Sequence, residues 1–170
     1  SSDVCSSDLT PVGEYANSCV GRERMFEHFS HQYQTPGRLI RLSYAIDMRY
    51  GVLHDLAQLI YANQPVSLAM GHANVIWQGE ANERSLRALT KCTTPTTGLN
   101  LSGPMISIAD AARGLASRLG KDLSFIGVEA PTAWLVDCTE ANAYWGTPEV
   151  NLERMLDWTA DWVLKGRSEE

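Results

Sequence analysis

Helix-like and strand-like patterns alternate along this chain, and the alternation predicts an α/β fold. An amphipathic helical pattern covers residues 14–30, and it predicts an apolar face of Val20, Met25, Phe26 and Phe29, with Arg22, Glu23, Arg24 and Glu27 facing water. A mostly apolar stretch, of the kind that forms a buried parallel strand, covers residues 38–46. A second helical pattern follows at residues 52–62, where apolar side chains recur three and four positions apart.

The rest of the chain continues the alternation. Ser107 is a suitable N-cap for a helix that Gly120 ends, and Asn151 is a suitable N-cap for a closing amphipathic helix. Short strands are predicted at residues 66–70, 74–78, 99–104 and 123–128, with a helix running from the second of them to about residue 91.

The composition excludes several classes of function. The 170 residues suffice for one core, or for one domain with part of another. A formal net charge of −6 argues against a nucleic-acid or anionic-membrane partner. No apolar run approaches the ~20 residues of a membrane span, and the first residues lack the basic head and apolar segment of a secretory signal. We therefore expect a cytoplasmic location.

The cysteines and histidines show no metal-ligand spacing. No C-x-x-C pair occurs, so independent, reduced thiols are expected. His28 and His31 lie three positions apart, but no partner set follows them, and no metal site is predicted. The cysteines are Cys5, Cys19, Cys92 and Cys138.

The start of the first helix carries a tyrosine in a pattern that suits acid–base chemistry. Tyr15, Ser18 and Glu23 match the frame Tyr-x-x-Ser-Lys-x-x-x-Glu. Residues four apart share a helix face, so positions 15 and 19 can address one ligand. A free tyrosine titrates near ~10, and a neighbouring cation lowers that pKa. Cys19 stands in the lysine place, however, and a thiol cannot supply the cation.

Further motifs follow in a fixed order. Arg41 stands in the arginine place of a Leu-Arg-Pro strand motif, in which Leu42 replaces the proline. Residues 133–141 are similar to an Asp-x-Ser-Lys-Ala element, and residues 142–148 to a Leu-Gly-Trp-x-Pro turn. Together with the tyrosine frame, these motifs resemble the extended short-chain dehydrogenase/reductase family of NAD-dependent epimerases and dehydratases, over about residues 10–165.

The resemblance implies the C-terminal portion of a Rossmann-type doubly wound sheet, joined to a small α/β substrate domain. The dinucleotide-binding part is expected at residues 10–65. The substrate-binding region is expected mainly at 66–165, with the strand and helix near 74–91 returning to the Rossmann domain, and a tail at 166–170. Residues 1–9 resemble a translated sequencing-library adapter, so we expect a non-native tail on a chain truncated at its front.

The resemblance also implies a function and its residues. It implies NAD or NADP as cofactor, a sugar nucleotide or small hydroxy or keto compound as substrate, and a homodimer of the full-length protein. Tyr15 is the implied catalytic residue, and Ser43 and Tyr44 are the implied cofactor-side residues. Arg49 and Tyr50 lie beyond the carboxyl end of the predicted strand, where open α/β sheets bind ligands, so we expect them to bind the substrate, with Arg49 clamping a carboxylate or phosphate. The alternatives are a packed tyrosine at a helix start, ordinary strand-end packing and a surface arginine.

Two departures leave the activity open. The lysine place holds Cys19, and Gln78 and Gly79 replace the two acids of a Val-Asp-Asp-Val-Ala element. No G-x-G-x-x-G phosphate loop occurs in the sequence. Tyr15 then works with another cation, such as Arg22, or the protein is a dinucleotide-binding sensor or scaffold that has lost the chemistry. A third alternative is that this piece has no activity of its own.

Overall fold

A computed structural model describes residues 11–130, 133 and 135–166. The predicted tail at residues 1–9 lies outside this range, as does most of the predicted tail at 166–170. The described chain divides into two compact units. The first runs to Arg41 and includes Glu83–Leu99, and the second comprises Leu42–Asn82 and the residues from Asn100 onward. The predicted domain boundary near residue 65 stays a prediction.

The elements alternate as expected of an α/β protein. The helices are α1 (Glu14–Tyr33), α2 (Val52–Tyr61), α3 (Gln78–Arg87), α4 (Ile108–Leu119), α5 (Thr139–Trp145) and α6 (Leu152–Leu164), and a 3₁₀ turn covers Ala88–Lys91. The strands are β1 (Arg38–Leu42), β2 (Ala45–Ile46), β3 (Val66–Ser67), β4 (His72–Asn74), β5 (Ile76–Trp77), β6 (Thr97–Leu101), β7 (Met105–Ser107) and β8 (Phe125–Ile126).

The strands pair in both directions. β2 runs parallel to β5, with Ala45 opposite Ile76 and Ile46 opposite Trp77. β3 runs parallel to β8, β4 runs antiparallel to β7, and β1 is hydrogen bonded to β6. Because β2 and β5 are parallel, their carboxyl ends share one edge, which is where ligands bind in open α/β sheets.

The core of the second unit lies among α2, α4 and α6. Each helix buries residues spaced three and four apart, as an amphipathic helix does when it packs on neighbours. Each buried Leu, Ile, Val or Met side chain contributes roughly 1.5–3 kcal/mol relative to leaving it exposed. The fully or nearly fully buried members are Leu53, Leu56 and Ile60 of α2, Ala111, Leu115 and Leu119 of α4, and Met155, Leu156 and Val163 of α6.

The predicted helix caps of this unit are confirmed. The Ser107 side chain accepts a hydrogen bond from the Asp110 amide, and Asn151 accepts one from the Arg154 amide. Gly120 ends α4 in the left-handed conformation at φ 62°.

The predicted strand at 38–46 is interrupted. Ser43 and Tyr44 separate β1 from β2, and Tyr44 has φ 40°. A positive φ cannot continue a strand, and a tyrosine there is strained by roughly 1–3 kcal/mol. The Ile76 amide holds this kink by donating to the Tyr44 carbonyl at 3.2 Å.

The predicted orientation of the first helix is wrong. Glu23 and Glu27, expected to face water, are half-buried, whereas Met25, Phe26 and Phe29 are 56%, 58% and 41% exposed. The reason is an ion pair between Glu23 and β1, described below, which turns the acidic side of α1 towards that strand.

Gly103 is required by a close backbone approach. A Cβ placed on it would lie 1.8 Å from the carbonyl oxygen of Val75. The Gly103 carbonyl in turn accepts a hydrogen bond from Nδ2 of buried Asn74 at 3.0 Å, and Asn74 Oδ1 accepts one from the Val136 amide at 2.9 Å. One buried amide side chain therefore ties the loop after β6 and the loop before α5 to β4.

We predict that Gly103→Ala destabilises the protein by about 3 kcal/mol or more, because the added methyl group would overlap backbone that cannot move away. Gly21→Ala is the matched control, since a Cβ there meets nothing within 4 Å and alanine favours the helix, with an expected gain of up to about 1 kcal/mol. Urea unfolding measures both changes, and similar effects for the two variants would contradict this account of Gly103.

Candidate active site

Tyr15 lies in the first turn of α1, in the first unit. Gly13 enters the helix at φ 85°, and the Ser18 hydroxyl donates to the Tyr15 carbonyl at 2.7 Å. The Tyr15 side chain itself is 84% exposed. The ring is therefore not a packing residue of the described chain, and its hydroxyl is accessible to a ligand.

The surroundings of Tyr15 lack the lysine of the motif. Cys19 follows one turn later as a free, half-buried thiol. Arg22 follows after a further turn, exposed and without a hydrogen-bond or ion-pair partner among the described residues. Its spacing of seven residues from Tyr15 places both on one side of α1, about two turns apart. A cation is thus available on this side of the helix, but not at the position where lysine would stand.

Glu23 and Arg41, both motif positions, bind each other. Arg41 Nη2 donates to Glu23 Oε2 at 2.6 Å, and Arg41 Nε donates to both carboxylate oxygens at 3.0 and 3.1 Å. The two side chains are only 20% and 19% exposed. Hydrogen bonding to Glu23 raises the pKa of Arg41 above its ordinary value. These two motif residues serve to fasten α1 to β1.

Ser43 and Tyr44 lie in the second unit, between the carboxyl end of β1 and the amino end of β2. Their backbone is firmly held: the Ser43 amide donates to the Leu101 carbonyl at 3.1 Å, and the Ser102 hydroxyl donates to the Ser43 carbonyl at 2.7 Å. The Tyr44 ring is 49% exposed. Both side chains project from a strained and well-anchored segment, and strain of this kind often accompanies a functional site.

Arg49 and Tyr50 lie on the turn at the other end of β2. Arg49 Nε is 3.3 Å from Asp47 Oδ1, which also accepts the Arg49 amide at 3.2 Å. The Tyr50 hydroxyl donates to Gln78 Oε1 at 2.9 Å. The turn after β2 and the start of α3 are thus connected through side chains at the carboxyl edge of the β2–β5 pair.

The acid-to-neutral replacements at positions 78 and 79 have local explanations. Gln78 binds Tyr50, and its Nε2 donates to Asn82 Oδ1 at 3.2 Å. A Cβ at position 79 would lie 2.9 Å from Nε1 of Trp77, so the side chain of Trp77 and the glycine belong together. The sequence marked Gln78 only as a departure. Its partner Tyr50 lies 28 residues away in the chain, so sequence reasoning missed this contact. The one local signal of a role in the site was that Gln78 directly follows a strand.

The structure brings some of the predicted site residues together. Tyr15 belongs to the first unit, and Ser43, Tyr44, Arg49 and Tyr50 belong to the second. Within the second unit they flank the two-residue strand β2, one pair before it and one pair after it.

Two features are absent from the described part of the chain. It holds no group of three or more His, Cys, Asp or Glu side chains placed to bind a metal ion. None of its helices combines the length and apolar character that a bilayer-spanning segment needs.

No protein-family model and no curated protein matches this chain, but solved structures match nearly all of it. UDP-glucuronic acid 4-epimerase from Bacillus cereus, in complex with NAD, is 17% identical with a TM-score of 0.76, over 96% of this chain and 55% of that one. dTDP-glucose 4,6-dehydratase from Bacillus anthracis str. Ames, in complex with NAD, is 15% identical with a TM-score of 0.73, over 94% and 54%. UDP-glucose 4-epimerase from Thermotoga maritima, with UDP-glucose, is 16% identical with a TM-score of 0.72, over 92% and 55%.

The chain has the fold of the nucleotide-sugar epimerases and dehydratases. Because the sequence identities are only 15–17%, the likeness to these structures shows the fold alone. The chain spans a little over half the length of the solved structures that it matches. The predicted fold class, the C-terminal portion of a Rossmann-type sheet with a small α/β domain, is confirmed within this epimerase fold.

We predict that Arg41→Met destabilises the protein by roughly 1.5–3 kcal/mol, because it leaves the half-buried Glu23 carboxylate without its partner. The matched control is Arg87→Met, which breaks an ion pair with Glu83 whose side chains are both 55% exposed, and the expected cost there is at most about 0.5 kcal/mol. Equal costs in chemical denaturation would show that the Glu23–Arg41 pair does not fasten α1 to β1.

Proposed function

We propose that this chain belongs to the extended short-chain dehydrogenase/reductase family and forms part of an NAD(P)-dependent epimerase or oxidoreductase. Its substrate is a sugar nucleotide or a small hydroxy or keto compound. One observation carries the proposal: the tyrosine of the family frame is the exposed Tyr15, in the first turn of α1, in a chain with the epimerase fold.

Tyr15 acts as the acid–base group. In its phenolate form, the Tyr15 oxygen takes the proton from a substrate hydroxyl while the hydride of that carbon would pass to the bound nicotinamide, and the resulting phenol returns the proton when the carbonyl is reduced. The exposed Arg22 is the cation that stands on the same side of α1, and a ligand bound beside Tyr15 would bring further charges to the phenol.

NAD or NADP would supply the hydride chemistry when bound. The nicotinamide-side residues of this chain are Ser43 and Tyr44, whose side chains leave an anchored backbone at the end of β1. The chain fits that end of the cofactor better than the other, because the 170 residues contain no glycine-rich phosphate loop. No residue of this chain is therefore assigned to bind the pyrophosphate of the cofactor.

Arg49 and Tyr50 contact the substrate. They lie at the carboxyl edge of the β2–β5 pair, the side on which open α/β sheets bind their ligands. The proposal includes a cytoplasmic location and a homodimer of the full-length protein. The exposed apolar side chains of α1 support the dimer, because Met25, Phe26 and Tyr33 are each more than half exposed.

The alternative is a catalytically degenerate sensor or scaffold protein that binds a dinucleotide without turnover. Two observations favour it. Cys19 stands where the family frame has its lysine, and Gln78 with Gly79 replaces the acidic pair and is built into local contacts of its own. Turnover with a nucleotide sugar separates the two functions.

We predict that Tyr15→Phe lowers turnover of a nucleotide sugar at least about 100-fold, because the ring remains but cannot move a proton. Cofactor affinity should change little. Tyr33→Phe is the matched control, since Tyr33 is another exposed tyrosine of α1, at 66%, and should keep full activity. Chromatographic analysis of the nucleotide-sugar product follows the reaction, because an epimerase leaves its cofactor in the starting oxidation state. If wild type binds the cofactor but turns over none of a broad panel of hydroxy substrates, the sensor function stands instead.

Restoring the lysine of the frame should strengthen the chemistry. We expect Cys19→Lys to raise turnover about tenfold at neutral pH, because a cation one turn away on the same helix face stabilises a phenolate. The rate–pH profile should shift to lower pH. Cys92→Ser, which removes a thiol elsewhere in the same unit, should leave the profile in place. An unshifted profile in Cys19→Lys would show that position 19 does not face Tyr15.

A further inference from the structure

The turn that carries Tyr50 is held in place by several local contacts. The Asp47 amide donates to the Tyr50 carbonyl at 3.4 Å, and the Asp47 side chain accepts the Arg49 amide at 3.2 Å. Gly51 closes the turn at φ 94° against the side chain of Ile46, where a Cβ would come within 3.0 Å. A turn held from within presents its side chains in one arrangement, which lowers the entropic cost of binding.

A buried histidine anchors the same turn from α2. His54 is only 6% exposed, and its Nδ1 lies 2.8 Å from the Met48 carbonyl oxygen. Its Nε2 lies 3.3 Å from Gln58 Nε2. The tautomer with a proton on Nδ1 satisfies both contacts, because Nδ1 then donates to Met48 and Nε2 accepts from Gln58. A buried polar side chain thus serves to fix an exposed turn.

The Tyr50 hydroxyl is oriented by a chain of side-chain hydrogen bonds. It donates its one proton to Gln78 Oε1 at 2.9 Å, and Gln78 is itself held through Nε2 by Asn82 Oδ1 at 3.2 Å. A hydroxyl that has given away its proton has only lone pairs left. Tyr50 is 43% exposed, so these lone pairs can accept a hydrogen bond from a ligand.

The charged groups around this chain of bonds carry no excess positive charge, because one arginine, Arg49, stands against the two carboxylates of Asp47 and Glu80. Arg49 is paired with Asp47, and the Glu80 carboxylate accepts the amides of Glu149 and Val150 at 2.6 and 3.1 Å. Tyr50, Gln78 and Asn82 are neutral. This edge therefore offers a hydrogen-bond acceptor on a neutral surface, and such a surface favours a hydroxyl donor over an anion.

We propose that Tyr50 accepts a hydrogen bond from a hydroxyl of a neutral sugar, and that Gln78 is a positioning residue that sets the direction of the Tyr50 hydroxyl. This inference rests on the proposed nucleotide-sugar function and deepens it. It selects a neutral hexose over a uronic acid, whose carboxylate would meet neutral, acceptor-bearing side chains and an arginine whose charge Asp47 offsets.

Isothermal titration calorimetry of the purified 170-residue protein with UDP-glucose and with UDP-glucuronic acid tests the inference. We expect UDP-glucose to bind about fivefold or more tightly than UDP-glucuronic acid. Tyr50→Phe and Gln78→Ala should each weaken UDP-glucose binding about 3- to 10-fold, as the loss of one neutral hydrogen bond does. The double variant should bind no worse than Tyr50→Phe alone, because Gln78 acts through Tyr50.

Tyr61→Phe is the matched control. Tyr61 belongs to the same unit and is also 43% exposed, so its variant should bind UDP-glucose as the wild type does. Tighter binding of UDP-glucuronic acid would overturn the choice of a neutral sugar. Unchanged binding of UDP-glucose by Tyr50→Phe, or additive losses in the double variant, would overturn the roles of Tyr50 and Gln78 while leaving the proposed function intact. Binding of neither nucleotide sugar would overturn both.

Discussion

The parallel pairing of β2 with β5 is the constraint on which the candidate ligand edge depends. The two strands are only two residues long, yet their register sets Ile46 opposite Trp77, so the turn after β2 and the start of α3 emerge at one edge. Ile46 and Ile76 are 1% and 0% exposed, and this burial anchors both strands. Side chains 28 residues apart, Tyr50 and Gln78, can meet for that reason.

The departures from the family frame fall into two kinds. The replacements at Gln78 and Gly79 are accommodated by local contacts, because Gln78 binds Tyr50 and Gly79 leaves space for the side chain of Trp77. The one at Cys19 has no such compensation in the described chain. No new cation takes the lysine place, and the nearest cation on that side of α1, Arg22, lies one turn further on. The proposed chemistry therefore depends on Tyr15 more heavily than in the family frame.

Local patterns predicted much of the fold because they depend on neighbours in the chain. Ser107 and Asn151 cap their helices through residues three positions away, and the apolar spacing of α2 and α6 describes their buried faces. The orientation of α1 was wrong because Glu23 meets a partner 18 residues away, and periodicity alone cannot detect such a pairing. The strand at 38–46 was predicted as continuous because nothing local signals a positive φ at a tyrosine.

The same division holds for the candidate site. The family resemblance singled out Tyr15, Ser43 and Tyr44, and the place beyond a strand end singled out Arg49 and Tyr50, since motif spacing and strand ends are local properties. Folding alone decided that Arg41 is bound by Glu23 and that Arg49 is bound by Asp47. It alone decided that Tyr50 is oriented by Gln78. The physical reason is that a hydrogen bond depends on where two side chains meet in space, and for residues far apart in the chain that meeting point exists only once the strands have paired and the helices have packed.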